Sequence, residues 1–123
     1  MKSVVTFVLL IGFIAFGGAS VFNGIKGLSG SGKASWYGNQ FHGKKTASGD
    51  VYNMHEYTAA HKTLPFGTKV KITNQKNGKS VIVEVNDRGP FVKSREFDLS
   101  RAAFNEIGNT NSGVISIDYE VIN

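Results

Sequence analysis

The sequence contains side chains that are suited to moving protons, among them His61, Asp87 and Asp98. Breaking a glycosidic bond, for example, needs an acid for the leaving oxygen and negative charge near an oxocarbenium-like transition state. The same side chains also fit structural roles. The string Asp-Arg-Gly-Pro at residues 87–90 is typical of a β-turn, Asp98 can accept backbone donors, and His61 fits an ordinary buried histidine. Spacing alone leaves both interpretations open.

Other catalytic chemistries lack the residues that they require. The chain has no cysteine, which excludes disulfides, a thiolate nucleophile and cysteine-ligated metals. His42, His55 and His61 lack the spacing of a zinc-binding helix, and no G-x-S-x-G string marks a serine nucleophile. Residues 27–33 fit the start of a phosphate-binding loop, but Ala34 stands where a hydroxyl must bind magnesium. We therefore expect no metal, no nucleotide and no other cofactor.

The charge of the chain is basic, with 14 lysine and arginine against nine acidic residues and a formal net charge of +5. The lysines are spread along the chain without a dense run, and the aromatic residues form no RNA-binding signature. This distribution favours attraction to anionic surfaces over the binding of nucleic acid.

The N-terminal segment has the pattern of an export signal. Lys2 precedes a nearly unbroken apolar run at residues 4–16, and the small residues Gly17 and Ala19 suit a signal peptidase. We expect a signal peptide at residues 1–19, because the apolar run is shorter than the roughly 20 residues that span a bilayer. Retention of an uncleaved segment is the alternative, and it would be the only membrane contact.

The remaining chain has room for one domain, and fifteen glycines against two prolines favour short strands joined by tight turns. Residues 20–32 are rich in glycine and serine and predict a flexible linker, which leaves residues 33–123 for the domain. Apolar residues alternate over residues 68–74 and 80–86, which predicts two strands. Asn77 and Gly78 are expected to supply positive φ angles for a hairpin between them, and the second strand ends at Asp87.

One helix and one further strand follow. Ser100 can cap a short helix over Arg101–Ile107, whose apolar side chains form one stripe, and Gly108 is suited to end it. Ile115–Val121 alternates cleanly between apolar and polar residues and predicts a last strand. No repeat of fixed period is present.

Four long strings make the chain similar to one known family. They are GKASWYG (residues 32–38), FHGKKTASGD (41–50), TAAHKTLPFGTKVKITN (58–74) and VNDRGPFVKSREFDLSRAAF (85–104). In their order and spacing they resemble the rare lipoprotein A family over nearly all of residues 33–121. The resemblance implies a mainly β fold, a six-stranded double-psi β-barrel with one or two short helices.

The resemblance also implies an activity. Members of this kind are endolytic lytic transglycosylases that cut peptidoglycan glycan strands lacking stem peptides, at the β-1,4 bond between MurNAc and GlcNAc, leaving 1,6-anhydroMurNAc ends. We expect a monomer that is exported to the periplasm or cell envelope and, for lack of a cysteine, is not lipid-anchored.

Catalytic positions of the family correspond to Asp87 and His61, and a third to Asp50. The family usually has glutamate at that third position. The side chain of Asp50 is one methylene shorter than that of glutamate. Displacing a catalytic carboxylate by about an ångström can cost about a hundredfold in rate. In the lytic reaction Asp87 would act first as acid and then as base.

Four further residues are candidates for binding the substrate. Trp36 and Tyr37 can stack on sugar rings, although such a pair at the start of a strand also suits a core. Arg88 and Asp98 would line the same site. The REFDLSRAAF and WYG strings also resemble expansin and barwin-like proteins, which loosen walls by binding polysaccharide without cutting it. A non-catalytic binding module is therefore the alternative function.

Overall fold

Six β-strands and a short helix build the domain in the computed structural model, which describes residues 24–123. The predicted signal peptide, residues 1–19, lies outside the described residues. The elements are β1 (Ser29–Trp36), β2 (Thr58–Ala60), β3 (Lys69–Asn74), β4 (Ser80–Asp87), β5 (Arg95–Leu99), α1 (Arg101–Ile107) and β6 (Ile115–Val121), with 3-10 turns at Asn39–Phe41 and Thr110–Ser112.

The strands close into a barrel in the order β1-β5-β2-β4-β3-β6. β1 pairs with β5, and β2 with β4, in parallel, whereas the other four pairs of neighbours are antiparallel. Parallel neighbours require crossover connections, and closure leaves no free sheet edge. The predicted mainly β fold, a six-stranded double-psi β-barrel, is confirmed.

The apolar alternation of the sequence forms the core of the barrel. The inward residues of β3 and β4 are buried and face each other across the hairpin, Val70 opposite Val83 and Ile72 opposite Val81. The hairpin turn differs from the expectation, since Gly78 has φ +75° and Asn77 does not have a positive φ. Asn77 is held by its side chain instead, whose amide donates to the Ile107 carbonyl at 2.9 Å.

The predicted helix α1 has the bounds and the cap that we expected. The Ser100 hydroxyl accepts the amide of Ala103 at 3.2 Å, and Ala103, Phe104 and Ile107 are buried. Gly108 ends the helix but is extended, with φ −164°, rather than left-handed. A left-handed residue is not needed there because the Asn74 side chain donates to the last helical carbonyl at 2.7 Å. No helix within residues 24–123 is long and apolar enough to cross a bilayer.

The barrel begins earlier than the glycine and serine content suggested. Ile25 is buried, and β1 starts at Ser29, where it pairs with Glu120 of β6. The predicted linker at residues 20–32 is therefore wrong at its C-terminal end. The glycine content predicted a linker here for the wrong reason. Gly32 packs against Glu96, and a Cβ atom at this position would come within 2.9 Å of the glutamate side chain. The glycine reflects close packing here rather than flexibility.

Candidate active site

An open groove of about 650 Å³ crosses one end of the barrel, where β1, β4 and β5 end or turn into loops. The structure brings five of the predicted site residues together along it: Trp36, Tyr37, Asp87, Arg88 and Asp98. Two of the predicted catalytic residues, His61 and Asp50, do not line this groove.

The pairing of β2 determines where the two aspartates stand. Ala60 at the end of β2 is opposite Asp87 of β4 on one side and opposite Asp98 of β5 on the other. The two aspartates are thus two strand spacings apart, about 10 Å between their Cα atoms. They lie at the same level of the barrel and face the same groove.

The carboxylate of Asp87 is held by three donors. The backbone amides of Ala47 and Arg88 each donate to Oδ1 at 2.9 Å, and the hydroxyl of Tyr37 donates to Oδ2. Burial, the hydrogen bond to Asp87 and the charges of both groove aspartates raise the pKa of Tyr37 well above its ordinary value. Tyr37 therefore remains a protonated donor, and Asp87 has a fixed orientation at the floor of the groove.

Asp98 is occupied by partners on the barrel wall. Ser35, its neighbour on β1, donates a hydroxyl to Oδ1, and Nε of Arg95 lies 3.2 Å from the same oxygen. These contacts support the structural role that the sequence left open for Asp98, although the residue still lines the groove. They also bring Arg95, which the sequence analysis missed, into the site.

Aromatic rings cover the walls of the groove. Trp36 donates its indole N–H to the Thr110 carbonyl at 3.2 Å and packs against the core. Tyr37 packs on Tyr52 with ring centroids 4.8 Å apart. Phe91 is 85 % exposed, and its ring is available to a ligand. Phe91 was missed by the sequence analysis, although it stands four residues after Asp87 in the family string VNDRGPF.

His61 lies inside the barrel wall and its ring is 2 % exposed. Its Nδ1 accepts the backbone amides of Thr63 and Leu64, both at 3.1 Å, and its Nε2 lies 3.0 Å from Glu96 Oε2. The ring also packs on Phe97 with centroids 4.8 Å apart. The hydrogen bond from His61 lowers the pKa of Glu96 below its ordinary value, in opposition to burial.

The side chain of Arg88 lines the groove and is held by the turn that follows β2. Its Nη1 donates to the carbonyls of His61 and Leu64 at 3.3 and 2.8 Å, and its guanidinium lies 4.1 Å from the ring centroid of Phe66. Burial lowers the pKa of this guanidinium, and the charge of Asp87 opposes that shift. Arg88 thus joins the turn after β2 to the backbone that carries Asp87.

Asp50 is exposed and lines a neighbouring groove together with Glu56, Tyr57 and Glu84. The family resemblance places its carboxylate in one site with that of Asp87, but the structure does not bring the two into one groove. The loop that carries Asp50 still reaches the site, because the amide of Ala47 in that loop binds Asp87. Among residues 24–123, no three His, Asp or Glu side chains gather as metal ligands would.

Comparison with known proteins identifies relatives for most of the chain. The endolytic peptidoglycan transglycosylase RlpA of Vibrio cholerae is 55 % identical over 97 residues, which are 79 % of this chain and 37 % of that protein. The chain therefore spans less than two fifths of the length of this relative. The resemblance to the rare lipoprotein A family is confirmed.

Solved structures with the same fold are more distant in sequence. The Streptomyces papain inhibitor is 24 % identical with a TM-score of 0.66, covering 80 % of this chain and 97 % of its own. A Clavibacter michiganensis expansin mutant bound to cellohexaose is 22 % identical with a TM-score of 0.62, covering 78 % of this chain and 51 % of its own. The family model described as lytic transglycolase matches residues 29–119, and the chain belongs to that family.

Proposed function

We propose that the domain is an endolytic lytic transglycosylase that cuts peptidoglycan glycan strands between MurNAc and GlcNAc and leaves 1,6-anhydroMurNAc ends. The observation that carries the proposal is the carboxylate of Asp87, oriented by Tyr37 and two backbone amides at the floor of a groove with aromatic walls. The similarity to the endolytic peptidoglycan transglycosylase of Vibrio cholerae supports it.

Asp87 acts twice in the proposed reaction. As an acid it gives its proton to the glycosidic oxygen, and the bond from C1 of MurNAc to that oxygen breaks, which releases the GlcNAc hydroxyl. The hydroxyl on C6 of the same MurNAc then attacks C1, and Asp87 takes the proton of that hydroxyl back. No water is consumed, and the ionised carboxylate is near the positive charge that develops on the sugar ring.

The aromatic walls supply the binding surface for the sugars. Apolar faces of pyranose rings stack on aromatic rings, and the groove offers Trp36, Tyr37 and the exposed Phe91 and Phe41. Arg95 lies beside them and adds positive charge. An open groove of this kind admits the middle of a long strand, which supports internal cleavage rather than trimming from an end.

The preference for glycan without stem peptides is part of the proposal. The same incubation on intact peptidoglycan and on peptide-free strands tests it, and equal rates on both would contradict it. We also propose that the domain works as a monomer outside the cytoplasm, in the periplasm or cell envelope. Cell fractionation and the mass of the purified protein in solution test these two points.

The decisive experiment is to identify the ends that the purified protein makes. Peptide-free glycan strands are incubated with it, and the products are separated and weighed by mass spectrometry. Anhydro-muramoyl ends support lytic cleavage. Reducing ends would mean that water attacks instead, and the protein would then be a hydrolase.

A binding module without catalysis is the second candidate. The observation in its favour is that Asp98 is already paired with Ser35 and Arg95. Among the groove residues within the described range 24–123, Asp87 is then the one carboxylate that has no ion pair with a cationic side chain. Unchanged strands together with saturable binding to glycan would support this function and exclude the transglycosylase.

A further inference from the structure

The hydrogen bonds of His61 determine where its ring proton lies. Nδ1 accepts two backbone amides, from Thr63 and Leu64, so this nitrogen carries its lone pair and no proton. The proton of the neutral ring therefore lies on Nε2, where it is donated to Glu96 at 3.0 Å. Both ring nitrogens are occupied inside the protein, and the ring does not line the groove.

Proton transfer by this ring would break the turn that follows β2. A proton on Nδ1 would leave the amides of Thr63 and Leu64 without an acceptor, and Leu64 is buried. A buried donor that loses its acceptor destabilises the fold. The geometry therefore opposes a role for His61 as the acid or base of the reaction.

A chain of direct contacts runs from the ring of His61 to the carboxylate of Asp87. The ring holds the turn at residues 61–64, and the carbonyls of His61 and Leu64 in that turn accept Nη1 of Arg88. The backbone amide of Arg88 in turn donates to Oδ1 of Asp87 at 2.9 Å. The backbone amide of His61 donates to the Asp87 carbonyl at 3.1 Å.

We infer that His61 is a positioning residue, a neutral imidazole that holds the turn which fixes Arg88 and thereby the amide that orients Asp87. Only the expected effect of the His61 variants on kcat rests on the proposed function. The part of His61 that matters is its acceptor at Nδ1, and the donor at Nε2 fixes the ring against Glu96.

Three variants separate the two ring nitrogens. His61→Asn keeps an acceptor in the position of Nδ1, His61→Gln keeps a donor that can reach Glu96 but no acceptor at that position, and His61→Ala keeps neither. We expect kcat of the asparagine variant to exceed that of the other two by at least about tenfold, since it keeps an acceptor for the amides of Thr63 and Leu64. KM should change little in all three, and the asparagine variant should keep the pH profile of the wild type.

A second measurement does not depend on activity. The backbone amide signals of Arg88 and Ala47, recorded by nuclear magnetic resonance, report on the environment of Asp87. They should shift in the glutamine and alanine variants and stay near the wild-type positions in the asparagine variant. The ring nitrogens of His61 in the wild type should show the proton on Nε2 at about pH 7.

The outcomes distinguish the positioning role of His61 from the proposed function. A folded asparagine variant that is as inactive as the alanine variant, while its Arg88 and Ala47 signals match the wild type, would overturn the inference and make His61 a catalytic residue. A proton found on Nδ1 would overturn it as well. A wild type that makes no anhydro ends would refute the proposed function, whereas the amide signals would still test the positioning role.

Discussion

Replacing Asp87 by asparagine removes the proposed acid while keeping the shape of the side chain. In the protein, Oδ1 accepts the amides of Ala47 and Arg88, and Oδ2 accepts the Tyr37 hydroxyl. The amide oxygen of Asn can keep the first two bonds, and its NH₂ group can donate to the oxygen of Tyr37. All three contacts can therefore be satisfied in the variant, but no proton can be exchanged with the substrate.

The two effects of Asp87→Asn differ in size. A hydrogen bond to a charged group contributes about 1.5–3 kcal/mol and a neutral one about 0.5–1.5 kcal/mol, so three bonds together lose about 3–4.5 kcal/mol. Relief from burying a charge offsets part of this loss. A domain with an unfolding free energy of about 5–15 kcal/mol still folds after such a change. The loss of acid and base catalysis should lower the rate by at least about a hundredfold.

The assay follows anhydro ends formed per enzyme from peptide-free strands, alongside urea unfolding of the same samples. Asp118→Asn is the matched control, because it makes the same change at an aspartate of β6 that lines neither the groove of Asp87 nor that of Asp50. This control should keep the wild-type rate.

Two results would refute the reasoning about Asp87. A folded Asp87→Asn variant that makes anhydro ends at the wild-type rate would exclude Asp87 as the acid and turn attention to Asp98. A variant that does not fold would show that the side chain is a structural residue of the turn after β4.

Three further predictions follow from contacts around the groove. Tyr37→Phe removes the hydroxyl donor to Asp87 and keeps the ring, so kcat should fall about tenfold at constant fold, and an unchanged kcat in the anhydro-end assay would contradict the contact's role. Asp50→Ala should lower kcat by less than about tenfold, because its exposed carboxylate lines the neighbouring groove, and a loss of a hundredfold would show that substrate joins the two grooves. The pKa of Glu96 is lowered from 4.5 by the hydrogen bond with His61, so its charge stabilises the fold above about pH 4.5 and this contribution disappears as the pH falls through the lower folded-state pKa. Unfolding free energies of Glu96→Gln should therefore lie below the wild type at neutral pH and converge with it in acid, and a constant difference across that range would contradict the assignment.

Local patterns were sufficient for much of the barrel. The direction of a side chain in a strand alternates with a period of two, so the sequence alone determined β3, β4 and β6 and the residues that they bury. The cap of α1 is equally local, because Ser100 binds an amide three residues away. The family strings added the double-psi topology and marked Asp87, which no local pattern distinguished from a turn residue.

The composition of the chain was less informative at the start of the barrel. Glycine and serine predicted a linker up to residue 32, whereas Ser29 already pairs with β6. The pairing partner lies some ninety residues away in the sequence, and a window of a few residues contains no information about it. The contact between Gly32 and Glu96 is of the same kind.

Tertiary structure alone decided which charged groups share a site. Asp87 and Asp98 face one groove because β2 lies between β4 and β5 in the closed barrel, while Asp50, in a string that the family places in the site, faces another. His61 directly follows strand β2 in the chain, but the hydrogen bonds of its ring hold the ring inside the barrel wall and away from the groove. Residue types therefore determined which chemistry was available. The pairing of distant strands determined which of those side chains can meet a substrate, because the direction of a side chain and its distance from another across a barrel depend on how the barrel closes and not on spacing along the chain.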